Sequence, residues 1–255
     1  MSGNVKKVQL LDQGFLELID TYTQPADDAI IAGARVTHME GSKGAEKDDR
    51  LIRYLMEHRH TSPFEQAVFK FRMYAPLVTY WHLLRHRTLH VNSQSGRYTP
   101  FEENAFYVPE HWRLQSLSNH QGSEGVMDGV DPLGNLQSKQ LTESLISHYN
   151  ISFKMYQQAL AFGAAKEMAR LFLPAFGVYY MMIVSCDLHN WMHFLGLRMA
   201  DDAQHEIRVY ALAMFGLLRE QAPMTMKAFH DLRIAPRKEN YTKFYEVFGK
   251  STLTK

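Results

Sequence analysis

The densest group of residues able to do chemistry lies at positions 85–98. Arg85, His86 and Arg87 stand side by side. Polar or small residues follow them, namely Asn92, Ser93, Ser95, Gly96, Arg97 and Tyr98. Guanidinium groups bind phosphates and planar carbonyl-bearing rings through paired hydrogen bonds, and a glycine lets the backbone approach a ligand closely. The segment predicts an anion-binding site; the alternative, a solvated basic helix end, is weakened by the interleaved leucines.

A second polar group surrounds His60. His58 and His60 have the right chemistry to bind zinc, but no third ligand stands at a suitable spacing, so we predict no metal site. A polar loop that precedes a strand is the simpler interpretation of this segment, which also contains Ser62 and Glu65.

A third polar group consists of Arg198, Asp201, Gln204, Glu206 and Arg208. On one continuous helix, Arg198, Asp201 and His205 would share a face. Taken alone, this segment favours solvated ion pairs along a helix.

Several familiar chemical signatures are absent from the sequence. There is no G-x-G-x-x-G motif, no Walker loop and no G-x-S-x-G elbow. Cys186, the single cysteine, lies in an apolar run with no basic neighbour before His189, which is typical of inert core. Ser95 has no evident base partner. We therefore expect the chemistry to depend on bound cofactors and electrostatic positioning.

The composition narrows the class of protein. The 255 residues carry 28 Lys and Arg against 27 Asp and Glu, a formal net charge of +1, so the basic excess of a nucleic-acid-binding protein is missing. One cysteine excludes a disulfide framework. The longest apolar run falls far short of the roughly 20 residues of a membrane helix, and no signal peptide is evident. We expect a cytoplasmic protein without a membrane partner.

Hydrophobic periodicity predicts a mixture of helices and strands. Residues 67–75 alternate between apolar and polar, which is typical of a half-buried strand, and Pro76 then opens a helix that carries the chain into Arg85. Further strands are predicted at 8–12, 15–19 and 176–184, and further helices at 27–37, 48–58, 142–162, 166–173, 191–198 and 203–220. Residues 116–140 predict a long surface loop. Without regular strand–helix alternation, the fold class is α+β.

Arg85-His86-Arg87, separated by seven residues from Ser95, matches the R-H-R-x7-S signature of the flavin-dependent thymidylate synthases, the ThyX family. Other segments resemble that family in the expected order over roughly residues 8–230. They include HRHTSPFEQAVFKF, EMARLFLP and NWMHFLGLRMADDAQHEIRVYA.

This resemblance implies a single catalytic domain over 1–255, mostly helical around a curved antiparallel sheet, in a homotetramer with active sites between subunits. It implies FAD as the cofactor and dUMP as the substrate. Methylenetetrahydrofolate and NADPH are the implied co-substrates, and dTMP and tetrahydrofolate the products. No enzyme cysteine attacks the pyrimidine in this family, which agrees with the position of Cys186.

The resemblance also implies roles by position. The residues implied in flavin or folate binding are Thr37, His60, Ser62, Glu65, Arg85, His86, Arg87, Asp187, His189 and His193. Those implied in nucleotide binding are His82, Arg85, Ser93, Ser95, Gly96, Arg97, Arg170 and Arg198. Arg198 and Ser95 are the implied catalytic residues; the charge of Arg198 would favour the electron-rich uracil as its C5 attacks the one-carbon unit.

Five residues depart from the family pattern, namely His82, His90, Ser93, Asp187 and His189. The family usually has Gln or Glu, Ser, Glu, Asn and Arg at these positions. Loss of a carboxylate at 93 changes the hydrogen bonds offered to the sugar or base, and a charge at 187 bears on flavin or folate binding. The alternatives are C5 methylation or hydroxymethylation of another pyrimidine nucleotide such as UMP, a non-catalytic flavin or nucleotide binder, and an RNA-binding protein, which the near-neutral charge disfavours.

Overall fold

The structure, a computed structural model, describes residues 6–21, 25–128 and 132–249 of the chain. The strands are β1 Lys7–Leu10, β2 Gly14–Thr21, β3 Val68–Pro76, β4 His90–Ser93, β5 Arg113–Gln115, β6 Ser123–Val126 and β7 Tyr179–Asp187. The helices are α1 Ala26–Ala34, α2 Ala45–Glu57, α3 Leu77–Leu83, α4 Pro132–Ala161, α5 Lys166–Ala169, α6 Leu188–Arg198, α7 His205–Gln221, α8 Pro223–Phe229 and α9 Thr242–Phe248. Within these ranges no helix has the length and apolar character needed to span a membrane.

Five strands form one antiparallel sheet in the order β1-β2-β3-β7-β4. β3 and β7 pair along their whole length, from Val68 opposite Asp187 to Pro76 opposite Tyr179. Alternate residues of β3 are buried, as its sequence pattern predicts. The predicted α+β class is confirmed, since helices surround this antiparallel sheet.

The pairing of β3 with β7 explains how two distant parts of the chain meet. β3 leads directly into α3 and β7 leads directly into α6, so these helices start from opposite ends of a strand pair roughly 30 Å long. α3 is about 10 Å long and α6 about 16 Å. Arg198, at the end of α6, nevertheless lies within hydrogen-bond distance of His86, three residues after α3.

Aromatic packing fixes α6 and α7 on the sheet. Trp191 is fully buried and stands edge-on to Phe71, with 5.2 Å between the ring centroids. Tyr210 donates its hydroxyl hydrogen to the carbonyl oxygen of Tyr74 over 2.6 Å. Buried rings of this size dominate core energetics, so the ends of α6 and α7 that carry site residues are held rigidly.

Some elements differ from the sequence predictions. The predicted surface loop 116–140 is wrong in part, because Ser123–Val126 form a strand paired with β5 and α4 already starts at Pro132. The predicted helix 203–220 begins at His205, after a turn, so Arg198 and Asp201 do not share a helix face. Instead, the Asp201 carboxylate accepts from the backbone N–H of Thr242 over 2.7 Å at the start of α9.

Candidate active site

His86 lies at the centre of the candidate site. This residue comes three positions after the end of α3 and is only 7% exposed. Its ring contacts the ring of Phe194, with 5.0 Å between the centroids. Arg198, the last residue of α6, donates its Nε–H to His86 Nε2 over 3.0 Å. Because a guanidinium group has only donors, Nε2 carries the lone pair and the neutral ring is protonated at Nδ1. Burial and the nearby charge of Arg198 lower the pKa of His86 to about 4.

Cations without carboxylate partners surround this contact. Burial lowers the pKa of Arg198, the charge of Asp202 opposes this, and the neighbouring charge of Arg85 lowers it further. Arg85 and Arg87 are exposed, and neither forms an ion pair with a carboxylate in the described ranges. Neighbouring cations repel each other and are stabilised when an anion binds. The residues present therefore fit a phosphate-bearing cofactor or substrate.

His82 lies one helical turn before His86 and begins a chain of hydrogen bonds. Gln204 donates its amide N–H to a carboxylate oxygen of Glu206 over 2.7 Å, so its carbonyl oxygen must be the group that faces His82 at 2.8 Å. His82 therefore carries a hydrogen on Nε2 and donates it to Gln204. When the ring is neutral, its Nδ1 atom can accept a hydrogen bond. Glu206 and Gln204 fix which hydrogen-bonding atom His82 can present to a ligand.

Glu206 anchors this chain from inside the protein. It is 3% exposed and accepts from Arg113 Nη2 over 2.6 Å. Burial raises its pKa, but the charge of Arg113 and the hydrogen bonds outweigh burial and hold it below the usual value. Solvated ion pairing is therefore wrong for Glu206. Arg113 has no signal in the sequence, because its partner lies 93 positions away.

A cavity of about 500 Å³ connects these residues. His82, Arg198, Gln204 and Glu206 are among its lining residues. A cavity of this size suits a small ligand, and its polar lining offers both donors and acceptors.

Ser95, Gly96, Arg97 and Arg170 form a separate group. A Cβ atom on Gly96 would lie 2.5 Å from the ring of Phe101 and 3.6 Å from Cδ of Arg170, so packing against Phe101 already requires a glycine there. Ser95 Oγ accepts from the backbone N–H of Arg97 over 3.3 Å. Arg97 pairs with Glu167 at 2.8 Å on the surface. Arg170 lines a cavity of about 210 Å³, which is not the one that Arg198 lines.

Ser93 is half-buried at the end of edge strand β4, and His90 is exposed at its start.

Three predicted histidines share a third cavity. His60, His189 and His193 line a space of about 330 Å³ beside the C-terminal end of α2. His193 also lies edge-on to His86, with 5.8 Å between ring centroids, which places this cavity next to the central contact.

The remaining predicted residues lie at the surface or have structural partners. Thr37, Ser62 and Glu65 are exposed on short 3-10 turns. Asp187 is the N-cap of α6: its carboxylate accepts from the backbone N–H of Asn190 over 2.9 Å and from the Asn190 side chain over 2.7 Å. Capping accounts for this acidic residue without any ligand.

The chain matches the model of a known protein family. Residues 17–224 match the family described as thymidylate synthase complementing protein. The chain belongs to this family of flavin-dependent thymidylate synthases. The resemblance of the R-H-R motif to that family is thereby confirmed.

Known flavin-dependent thymidylate synthases are similar over most of the chain. The enzyme of Thermus thermophilus is 42% identical over 225 residues, covering 88% of this chain and 78% of that protein. The enzyme of Kosmotoga olearia is 36% identical, covering 88% of this chain and 93% of that protein. A crystal structure of a UMP/dUMP methylase from Streptomyces cacaoi bound with 5-Br UMP has a TM-score of 0.75 and 32% identity, covering 87% of this chain and 95% of that chain.

The single cysteine of this flavin-dependent thymidylate synthase is not a nucleophile. Cys186 is 2% exposed in the middle of the fold, beside the carbonyl oxygen of Thr88. Burial, with a smaller effect of the Asp187 charge, raises the pKa of its thiol to about 12. A thiol that stays protonated at pH 7 is unreactive, as the sequence predicted.

Proposed function

We propose that the protein transfers a one-carbon unit from methylenetetrahydrofolate to C5 of dUMP and reduces it to the methyl group of dTMP, with FAD as cofactor and NADPH as reductant. Membership of the family supports the flavin and the pyrimidine nucleotide. The observation that carries the proposal is the contact between Arg198 and neutral His86, beside Arg85 and Arg87, which have no carboxylate partner among the described residues. When bound, FAD supplies the redox chemistry that links NADPH to the methyl group.

Arg198 is the residue we assign to the pyrimidine. Its Nε–H is engaged by His86, so the two terminal nitrogen atoms remain to donate to a uracil carbonyl oxygen. Negative charge develops there as C5 becomes nucleophilic, and a fixed guanidinium group stabilises it. His86 stays neutral, accepts from Arg198 and fixes its orientation.

Arg85 and Arg87 are the residues we assign to the phosphates of FAD, because both are exposed cations beside the central contact. Ser95, Arg97 and Arg170, with Gly96, are assigned to the nucleotide phosphate, and Ser93 and His82 to its sugar or base. His60, His189 and His193 are assigned to the planar rings of flavin and folate, since they share one cavity. Thr37, Ser62, Glu65 and Asp187 remain predictions of the family pattern.

We further propose that the active site forms between subunits of a homotetramer. Arg170 and Arg198, both assigned to the nucleotide, line different cavities of one chain, so a partner must supply part of each site. Large apolar side chains are exposed on α3, at its C-cap and near Arg170 in the sequence, namely Trp81, Leu84, Leu171, Phe172 and Phe176. Exposed apolar groups of this kind mark protein interfaces.

Methylation of UMP is the second candidate function. One solved structure that this chain resembles is a UMP/dUMP methylase, and Ser93 replaces the glutamate that is usual in the family. The test is to supply dUMP, UMP, dCMP and CMP separately, with methylenetetrahydrofolate and NADPH, and to identify the products by mass spectrometry. We expect dTMP from dUMP. Ribothymidylate from UMP with no dTMP would establish the second candidate, and flavin reduction without any methylated product would refute both.

A further inference from the structure

The cavity lined by His60, His189 and His193 is closed by a part of the chain outside the family match. That match ends at residue 224, and the lining continues through α8 and the following turns with Phe229, Arg233, Ile234, Arg237 and Tyr241. With Arg59 these residues make an apolar slot that has three arginines and, in the part of the chain that the structure describes, no Asp or Glu. The slot therefore suits an apolar ligand that carries negative charge.

Arg59 occupies a backbone position that favours glycine. It follows the C-cap of α2 with φ of 57°, the left-handed region, and the next N–H, of His60, returns to the carbonyl oxygen of Leu55 over 2.9 Å. Glycine is the usual residue at this point of a helix end because it has no Cβ. An arginine here is unfavourable for the backbone, which points to a use for its side chain.

The segment after α8 is joined by hydrogen bonds to the end of α2 and to α6. Arg233 donates from Nη2 to the carbonyl oxygen of Met56 over 2.7 Å, and Tyr241 donates its hydroxyl hydrogen to the carbonyl oxygen of Gly196 over 2.7 Å. Arg237 is exposed at a kink between them. Neither Arg59 nor Arg237 forms an ion pair with a carboxylate in the described residues. Two arginines at the mouth of the slot are thus available to an anion.

We propose that Arg59 and Arg237 bind the carboxylate tail of the folate co-substrate, with its pterin ring held by the neighbouring histidines. This inference rests on the proposed function, and adds a subsite from the C-terminal segment. Arginine forks match carboxylates in two parallel hydrogen bonds. A volume of about 330 Å³ is at the lower end for ligand sites, which favours planar rings with a charged tail at the mouth over a whole dinucleotide such as NADPH.

The test is calorimetric titration of the FAD-loaded protein, with dUMP present, by tetrahydrofolate and by a reduced pterin that lacks the tail. Arg59→Gly and Arg237→Gln should each weaken tetrahydrofolate binding about tenfold, as expected for one lost charge-assisted hydrogen bond, and leave the affinity for the pterin unchanged. Arg50→Gln is the control, because Arg50 is an exposed residue of α2 paired with Glu46. Arg59→Gly should melt at the same temperature as the parent protein or higher, since glycine suits that backbone.

The inference would be overturned if the variants bound tetrahydrofolate and the tail-less pterin equally more weakly. It would also be overturned if both variants bound tetrahydrofolate as tightly as the parent protein. A raised KM for NADPH with unchanged folate affinity would also overturn it, and assign the arginines to the dinucleotide. Calorimetry measures binding without turnover, so failure of this inference can be distinguished from failure of the proposed function. The proposed function fails if the parent protein yields no methylated nucleotide.

Discussion

The Nε atom of Arg198 lies 3.0 Å from Nε2 of His86, although 112 positions separate the two residues. The contact joins the R-H-R motif after α3 to the end of α6. It fixes the tautomer of the histidine and directs the two terminal guanidinium nitrogen atoms away from it. The predictions below follow from this pairing and from the charges around it.

Replacing Arg198 should separate binding from chemistry. We expect Arg198→Ala to retain the FAD absorbance of the parent protein and to lose about 10²–10³-fold in kcat, the usual effect of removing one donor to developing negative charge. Arg198→Lys should recover little, because an ammonium group cannot replace the planar fork. Stopped-flow kinetics and absorbance spectra measure both. Turnover within a few-fold of the parent would show that Arg198 does not act on the pyrimidine.

Replacing Arg87 should act on the cofactor. Arg87 is an exposed cation without an ion-pair partner among the described residues, so Arg87→Ala should leave the fold intact. We expect the purified variant to contain much less FAD than the parent protein. Arg50→Ala, an exposed arginine of α2, should purify with full FAD. The ratio of flavin to protein absorbance reports the outcome, and a fully yellow Arg87→Ala protein would be inconsistent with the assignment.

Protonation of His86 should destabilise the protein in mild acid. Its pKa is about 4 when folded and 6.5 in its ordinary state, so the unfolded chain binds the proton more readily. The contribution of neutral His86 to the free energy of unfolding is fully present above pH 6.5 and is lost as the pH falls toward 4. The linkage relation gives a loss of about 2 kcal/mol by pH 5.

Urea unfolding at pH 7.5 and pH 5 measures this effect. His86→Asn lacks the titrating ring, so it should lose about 2 kcal/mol less than the parent protein over the same interval. An equal loss in both proteins would mean that His86 is not the group responsible.

Asp187 should prove to be a structural residue. Asn at this position keeps a capping oxygen, whereas Ala removes it, so we expect Asp187→Ala to lower the free energy of unfolding by about 1 kcal/mol and Asp187→Asn to change it by less than about 0.5 kcal/mol. Chemical denaturation of both variants decides the matter. If Asp187→Ala left the free energy of unfolding unchanged, capping would not explain this carboxylate, and a role in ligand binding would be favoured.

The sequence predicts the local parts of this fold well and the distant pairings poorly. Alternation in β3 and periodicity in α6 are properties of short segments, so both are visible in the chain. Edge strand β4 is only four residues long and is defined by pairing with β7, which lies some ninety positions later. Such pairing leaves no periodic signal.

The same difference applies to the site. The motif at 85–97 is contiguous and therefore identifiable, and its resemblance to a family brought in Arg170 and Arg198. The partnership of Glu206 with Arg113 depends on a hairpin whose first strand, β5, was not predicted and whose second strand, β6, lies in the predicted loop 116–140. The division of the predicted nucleotide-binding residues between two cavities was also not foreseeable, because the sequence does not show which cavity each side chain lines.

The most direct test of the proposed function follows the one-carbon unit and the folate together. The FAD-loaded protein is mixed with dUMP, NADPH and methylenetetrahydrofolate labelled with ¹³C at the methylene carbon. We expect the label in the C5 methyl group of dTMP and tetrahydrofolate as the stoichiometric folate product, because the proposed reaction takes its reducing electrons from NADPH and not from the folate. Unlabelled nucleotide, or dihydrofolate formed in step with dTMP, would contradict the proposed reaction.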